Sequence, residues 1–176
     1  MIGGDRFGQT KFERLHTKYK YLLLSIATKI VKDHHLAEDA VQHSFEKIFE
    51  NLHKIDEKDE DVTRKLLAII CRNVSINIYN SKKVLDKKYE NIDNMEVECS
   101  EFNPLNIVVD SESEDLIVKA IKGLPLTYSD VVLLKYHYDY SREEIAHLLE
   151  LPLETVKKRL FRGRKILSKS LRREDT

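Results

Sequence analysis

The sequence predicts an all-α protein: two small helical domains joined by an acidic linker, the C-terminal one a helix-turn-helix. Three observations carry this. Apolar residues recur at spacings of three and four through most of residues 12–81 and 116–171, the period of a helix that buries one face. Glycine and proline number only 5 and 3 in 176 residues, too few for a turn-rich β protein. Between the two periodic blocks, residues 86–113 lose the period and become acidic, as a linker does. The domains are therefore placed at 8–85 and 114–173.

The first helix follows from Phe12, Leu15, Tyr19, Leu22, Leu23, Ile26 and Ile30. Asp33 and the His34-His35 pair interrupt it. A second helix reads Leu36, Val41, Ser44, Phe45, Ile48, Phe49 and Leu52, and two amphipathic helices this close should pack as a hairpin. A charged connection over 53–61 leads to a third helix at 62–81, on Leu66, Leu67, Ile69, Ile70, Val74 and Ile78. Its β-branched residues weaken propensity slightly, but length and period favour helix. The linker keeps Phe102, Leu105, Ile107, Val108 and Val109, which a plain spacer does not need and a docking segment would.

The C-terminal block is sharply punctuated. Leu116, Ile117, Ala120 and Ile121 form one stripe, ended near Gly123 and Pro125. Thr127 with Asp130 three residues on resembles a capping box and opens a helix through Val131, Val132 and Leu134. Ser141 with Glu144 is a full capping box, opening a short helix with Ile145, Ala146, Leu148 and Leu149. Leu151-Pro152 breaks the chain, and a last helix runs from 152 or 153 to 171.

The net charge of zero conceals a pattern. Residues 1–87 carry +3, residues 88–115 carry −8 and residues 116–176 carry +5, so a nucleic-acid partner must be argued from local patches. Cys71 and Cys99 form no CxxC pair and read as reduced thiols. The first residues show no secretory signal, and Tyr21-Leu22-Leu23-Leu24 is far short of a membrane span. A cytoplasmic protein without membrane contact is expected. His34, His35, His43, His53, His137 and His147 lack the spacing of a zinc helix, and no phosphate loop or nucleophile elbow is present. No catalytic residue, metal or cofactor is expected, and no enzyme activity.

Two short helices joined by about three residues have the layout of a helix-turn-helix, whose second helix enters the major groove by its N-terminal part. Here that part is Leu153-Glu154-Thr155-Val156-Lys157-Lys158-Arg159. Val156 and Leu160 should face the core. Residues 157–173 hold nine Lys or Arg and no acid. That run suits phosphate contact, although a basic helix end is also favoured by the helix dipole alone.

The stretch Ser141-Arg142-Glu143-Glu144-Ile145-Ala146, then Leu151-Pro152, then Thr155-Val156-Lys157-Lys158-Arg159-Leu160 and Arg162-Gly163-Arg164-Lys165 resembles region 4 of bacterial sigma factors, the extracytoplasmic-function group most closely. Leu124-Pro125 and residues 131–134 extend the likeness. Ala37-Glu38-Asp39-Ala40-Val41-Gln42, with Phe45, Phe49 and Leu52, resembles the core-polymerase-binding helix of region 2, and Arg72-Asn73 with Asn77 resembles its promoter-melting helix. Together these cover about residues 12–83 and 116–171. The sequence departs from the family where Leu66 stands for a frequent Trp, Asn77 for Asp, and Asn80 for a basic residue. Gly163 replaces a small helix former, at about 1 kcal/mol against Ala.

The resemblance implies an alternative sigma factor that directs core RNA polymerase to specific promoters and aids initiation. Its partners would be core RNA polymerase, promoter DNA both double-stranded and melted, and an anti-sigma factor of the kind that often holds the family inactive. Asp39, Gln42, Phe45, Glu46 and Phe49 would bind the polymerase. Arg72, Asn73, Asn77, Asn80, Lys82 and Lys83 would meet the downstream promoter element, with the loop 55–62 as a base pocket. Five acids in that loop would repel phosphate, so it would hold a base. Glu154, Thr155, Lys157, Lys158, Arg159, Arg162, Arg164 and Lys165 would meet the upstream element. Two rivals stand beside this reading: a helix-turn-helix regulator that is no sigma subunit, and a protein-interaction module that reads no DNA. The acidic second helix weighs against the first and the basic run against the second.

Overall fold

The computed structural model describes residues 4–86, 121 and 123–174, in two separate units. Beyond Asp86 the linker, with its apolar segment, lies outside the described residues, as does the stripe at 116–120. Every regular element among the described residues is an α-helix or a 3-10 turn.

The N-terminal unit has three helices, α1 (Gly4–Val31), α2 (His34–Glu50) and α3 (Glu60–Asp86), with a 3-10 turn at Leu52–Lys54. Each helix packs on the other two. Helix α1 buries Leu15, Tyr19, Leu23, Ile26 and Ile30, as its stripe predicts. Helix α3 is enclosed more completely: Leu66 to Cys71 are six consecutive residues, each at most 1% exposed. A helix lying against two neighbours buries more than one face, so its sequence reads as a run and not a stripe. Helix α2 differs from expectation. Its innermost residues are Ala37, Ala40, Ser44, Phe45 and Ile48, while Leu36 and Val41 are half-buried and Phe49 is exposed. Small side chains occupy the tightest helix contacts, which a search for large apolar residues overlooks.

The connections are held by specific polar contacts. Asp33 caps α2, its Oδ1 accepting from Leu36 N at 3.1 Å. Its Oδ2 takes Lys82 Nζ at 3.1 Å, tying α3 to the α1–α2 turn. Lys11 Nζ donates to Leu52 O at 2.8 Å and also to Ile55 O, satisfying carbonyls after α2. Asp59 accepts from Val62 N at 3.0 Å, and Thr63 Oγ1 donates to Asp56 O at 2.6 Å. This cap is why α3 starts at Glu60, two residues earlier than its apolar period suggests. Cys71 lies buried, its Sγ 3.4 Å from Leu23 O, and burial pushes its thiol up to about 11.

The C-terminal unit contains α4 (Leu126–Tyr136), α5 (Arg142–Leu149) and α6 (Leu153–Glu174). Its core is Leu124, Val131 to Leu134, Tyr140, Ile145, Leu148, Leu149, Val156 and Leu160. The expected box opens α5: Glu144 N donates to Ser141 Oγ at 3.0 Å and Ser141 N to Glu144 Oε2 at 2.7 Å. The box expected at Thr127 and Asp130 is absent. Helix α4 starts at Leu126, and the Pro125 carbonyl accepts from Tyr128 N and Ser129 N at 2.9 and 3.0 Å. Thr127 is thus already inside the helix, and Asp130 is buried at 3%. Between α5 and α6 the chain turns through Glu150 at φ 54°, a left-handed conformation, with Leu151 N donating to Ala146 O at 2.9 Å. That hydrogen-bonded reversal sets the short α5–α6 turn. Left-handed backbone costs a non-glycine residue about 1–2 kcal/mol.

Gly163 has a structural reason that its helix propensity conceals. It is buried where α6 crosses α4, and a methyl there would stand 2.8 Å from Val132 Cγ2 and 3.5 Å from Tyr128 Cβ. Gly163→Ala gains about 1 kcal/mol of helix propensity but forces a stiff valine, overpacking that costs about 1–3 kcal/mol. We expect a net loss of stability in denaturant unfolding of the full chain, recovered in part by Val132→Ala in the Gly163→Ala background. Equal or greater stability of the single variant would contradict the close packing.

Asp33 has its carboxyl held below the usual range, first by the Leu36 N–H and then by Lys82. A depressed folded pKa contributes stability that is present above the unfolded value, about 3.9, and is lost as pH falls through the folded one. Asp33→Ala should therefore destabilise the chain at neutral pH, with the difference from wild type shrinking in acid melts below that value.

Candidate functional site

On α2 the side chains of Glu38, Asp39, Gln42 and Glu46 are exposed. Gln42 Nε2 donates to Glu46 Oε1 at 3.3 Å. Imidazoles stand beside the two glutamates: His34 and His35 lie 3.3 and 3.9 Å from Glu38, and His43 3.4 Å from Glu46. Between α1 and α2 runs an open groove of about 980 Å³. Its aromatic wall is continuous. Phe12 meets Phe45 and Phe49 edge to face at 5.9 and 5.3 Å, and the His16 ring is 4.5 Å from Phe45. Glu38, Glu46 and Glu50 give the groove an acidic rim.

Two expected contact residues therefore differ. Phe45 is only 4% exposed and forms the groove floor, because it points into the α1–α2 contact. Phe49 is 54% exposed and available. Sequence reasoning missed the α1 side of the groove, where Phe12, His16 and the exposed Tyr21 stand. The signal was there in part: Tyr21 falls off the buried α1 stripe, yet is aromatic.

On α3 the expected residues separate by burial. Arg72, expected to meet DNA, is 2% exposed and lies inside the unit, because α3 is enclosed on more than one face at this level. Asn73 is half-buried and its Nδ2 donates to Ile69 O at 2.8 Å. Asn77 and Asn80 are half-buried, with the Asn80 Oδ1 inside. Lys82 is exposed but paired with Asp33. Lys83 Nζ sits 6.0 Å from the Tyr79 ring, at the limit of a cation–π contact. The acidic loop before α3 is partly neutralised. Arg14 donates to both Glu57 oxygens, at 3.1 and 2.7 Å, and Lys18 pairs with Glu60 at 2.9 Å. Those hydrogen bonds lower both glutamates, so both are charged and both are matched by α1. Sequence reading counted the acids without their partners, which lie 43 and 42 residues away.

Helix α6 follows its expected orientation. Val156 and Leu160 are 0% and 4% exposed, and Gly163 joins them on the buried side. Glu154, Lys157, Lys158, Arg162, Arg164 and Lys165 are exposed, while Thr155 and Arg159 are half-buried at the margin. Glu154 and Lys157 form an ion pair of 2.7 Å. Phe161, which sequence reasoning did not single out, is 62% exposed among the cations. Its position one residue beyond the buried stripe is the signal that could have found it. Among the described residues no group of three or more His, Cys, Asp and Glu could hold a metal ion, and no helix is long and apolar enough to cross a membrane.

Two family models match the chain: "Sigma-70 region 2" over residues 15–83 and "Sigma-70, region 4" over residues 114–167. Among curated relatives, the ECF RNA polymerase sigma factor SigW of Bacillus subtilis (strain 168) is 29% identical over 174 residues, covering 93% of this chain and 90% of the relative. The ECF RNA polymerase sigma-E factor of Escherichia coli (strain K12) is 25% identical over 167 residues, covering 90% and 85%. Of solved structures, the sigma factor RpoE in complex with the anti-sigma factor NepR from Bartonella quintana is similar at a TM-score of 0.36 and 20% identity, over 92% of this chain and 96% of that one. With both regions matched in order, and with relatives similar over nearly their whole length, the chain belongs to the sigma-70 family of RNA polymerase sigma factors, in its extracytoplasmic-function group.

Proposed function

We propose that this sigma factor directs core RNA polymerase to its promoters through three surfaces on two separately folded units, 8–85 and 114–173, with 86–113 as the linker. The observation that carries the reading is their combination in one chain: an acidic and aromatic groove on one unit and, on the other, a recognition helix whose residues 157–173 carry nine cations and no acid. Core polymerase binds along α2 through Asp39, Gln42, Glu46 and Phe49, with Phe45 shaping the groove from beneath. Carboxylates over an apolar floor suit a basic, amphipathic helix of a partner. The partly open side of α3, with half-buried Asn73, Asn77, Asn80 and Lys83 and exposed Lys82, faces melted downstream DNA, where amides can hydrogen-bond bases. Arg72 supports that helix from inside.

Helix α6 reads the upstream element in duplex DNA. Glu154, Thr155, Lys157 and Lys158, in its first turns, are placed for base edges, and Phe161 offers an apolar contact suited to a thymine methyl. Arg159, Arg162, Arg164 and Lys165 hold phosphate. The protein works in the cytoplasm, catalyses nothing itself and is open to capture by an anti-sigma factor.

Run-off transcription with purified core polymerase tests the whole reading: promoter-dependent transcripts should require this chain. Asp39→Arg should weaken core binding at least several-fold while leaving helicity and duplex binding by the chain intact, and an unchanged core pull-down would refute the α2 assignment. Arg164→Ala should weaken binding to all duplexes alike and reduce the slope of log affinity against log salt by about one. A change of sequence preference instead would mean that α6 docks in another orientation.

A further inference from the structure

Glu154 is the one acid on α6 between residues 153 and 173, a stretch with nine cations. Its carboxylate lies 2.7 Å from Lys157 Nζ, and both side chains are open to solvent, at 71% and 43% exposure. The two sit three residues apart, within the first turns, on the side of α6 away from Val156 and Leu160. An exposed pair of this kind contributes little to stability. Its position at the front of a recognition helix gives it another use. This inference rests on the reading of α6 as the helix that enters the major groove.

We propose that Glu154 and Lys157 act as one internally neutralised pair that selects a C·G base pair and withholds Lys157 from phosphate. The chemistry of the groove supports the match. A carboxylate only accepts hydrogen bonds and an ammonium only donates them. Cytosine presents its N4 amine as a donor, while its guanine partner presents N7 and O6 as acceptors. One base pair thus offers a donor beside two acceptors, the complement of a carboxylate beside an ammonium. A cation held by an internal counter-charge neutralises no phosphate, so it displaces no counterion from DNA and adds nothing to the salt slope. The carboxylate also repels phosphate, which disfavours any register that brings the backbone to this turn. Lys157 therefore serves selectivity, while Arg162, Arg164 and Lys165, which have no acid three or four residues away on α6, supply affinity. The hydrogen bond and the charge of Lys157 hold the Glu154 carboxyl below the usual carboxylate range.

The test uses the full-length chain assembled with core RNA polymerase. A pool of duplexes with a randomised upstream segment is selected for binding, and single-base-pair variants of the selected duplex are titrated at several salt concentrations. Circular dichroism checks that each variant keeps its fold. Glu154→Ala should lower discrimination at one C·G pair by about five- to 150-fold. It should also raise affinity for unrelated duplex and steepen the salt slope by about one. Glu154→Gln should steepen the slope in the same way and shift the preference at that position from C towards A, since an amide pairs with adenine. Lys157→Ala should erase preference at the same base pair, and adding it to Glu154→Ala should cost no further discrimination there. An unchanged base preference and slope in Glu154→Ala, with wild type still selecting a sequence, would overturn the pair assignment alone. Selection of no sequence by wild type would overturn the recognition-helix reading and the pair with it.

Discussion

The close crossing of α6 over α4 is the constraint on which the C-terminal unit depends. Val156, Leu160 and Gly163 lie on one side of α6, and the absence of a side chain at Gly163 lets the helices approach. Once that side is buried, helical geometry leaves no freedom about the rest: Glu154, Lys158, Phe161, Arg162 and Lys165 must face outward. The α5–α6 turn at Glu150 sets the angle at which that outward face is presented, held by the Leu151 N to Ala146 O bond. The concentration of cations is thus a consequence of packing as much as of composition, since a rotation of α6 would bury part of it.

The N-terminal unit follows the same logic with a different central element. Helix α3 packs against both α1 and α2, and Arg72 follows directly on its buried run from Leu66 to Cys71. One side of α2 stays open to solvent, and the alanines at 37 and 40 allow α2 to lie close while Phe49 remains outside. The acidic loop is drawn against α1 by Arg14 and Lys18, and the α1–α2 turn against α3 by Lys82. These exposed ion pairs contribute modestly to stability. Their greater effect is to set the shape and charge of a loop that composition describes only as acidic.

A shared feature of the two outward faces is the presence of aromatic rings among charges. Phe49 and Tyr21 flank the groove, and Phe161 stands among the cations of α6. Phe49 packs edge to face with Phe12 and leaves the rest of its ring open, and exposed aromatic area of this kind is enriched at protein interfaces.

The helical architecture, the turn before α6, the Ser141–Glu144 box and the basic character of α6 were all legible in the sequence, because period, capping and charge runs are local properties. So was the α6 stripe, since 3.6-residue periodicity assigns faces without knowledge of neighbours. What only the tertiary structure decided is where a second helix covers a face. It moved Arg72 and Phe45 inside, turned Thr127 from a cap into a helical residue, matched Glu57 and Glu60 with α1 cations, and made Gly163 a packing residue instead of a weak helix former. Each of these rests on contacts between residues distant in the chain or on the exact start of a helix. The order of residues alone does not record such distances, whereas packing between helices does.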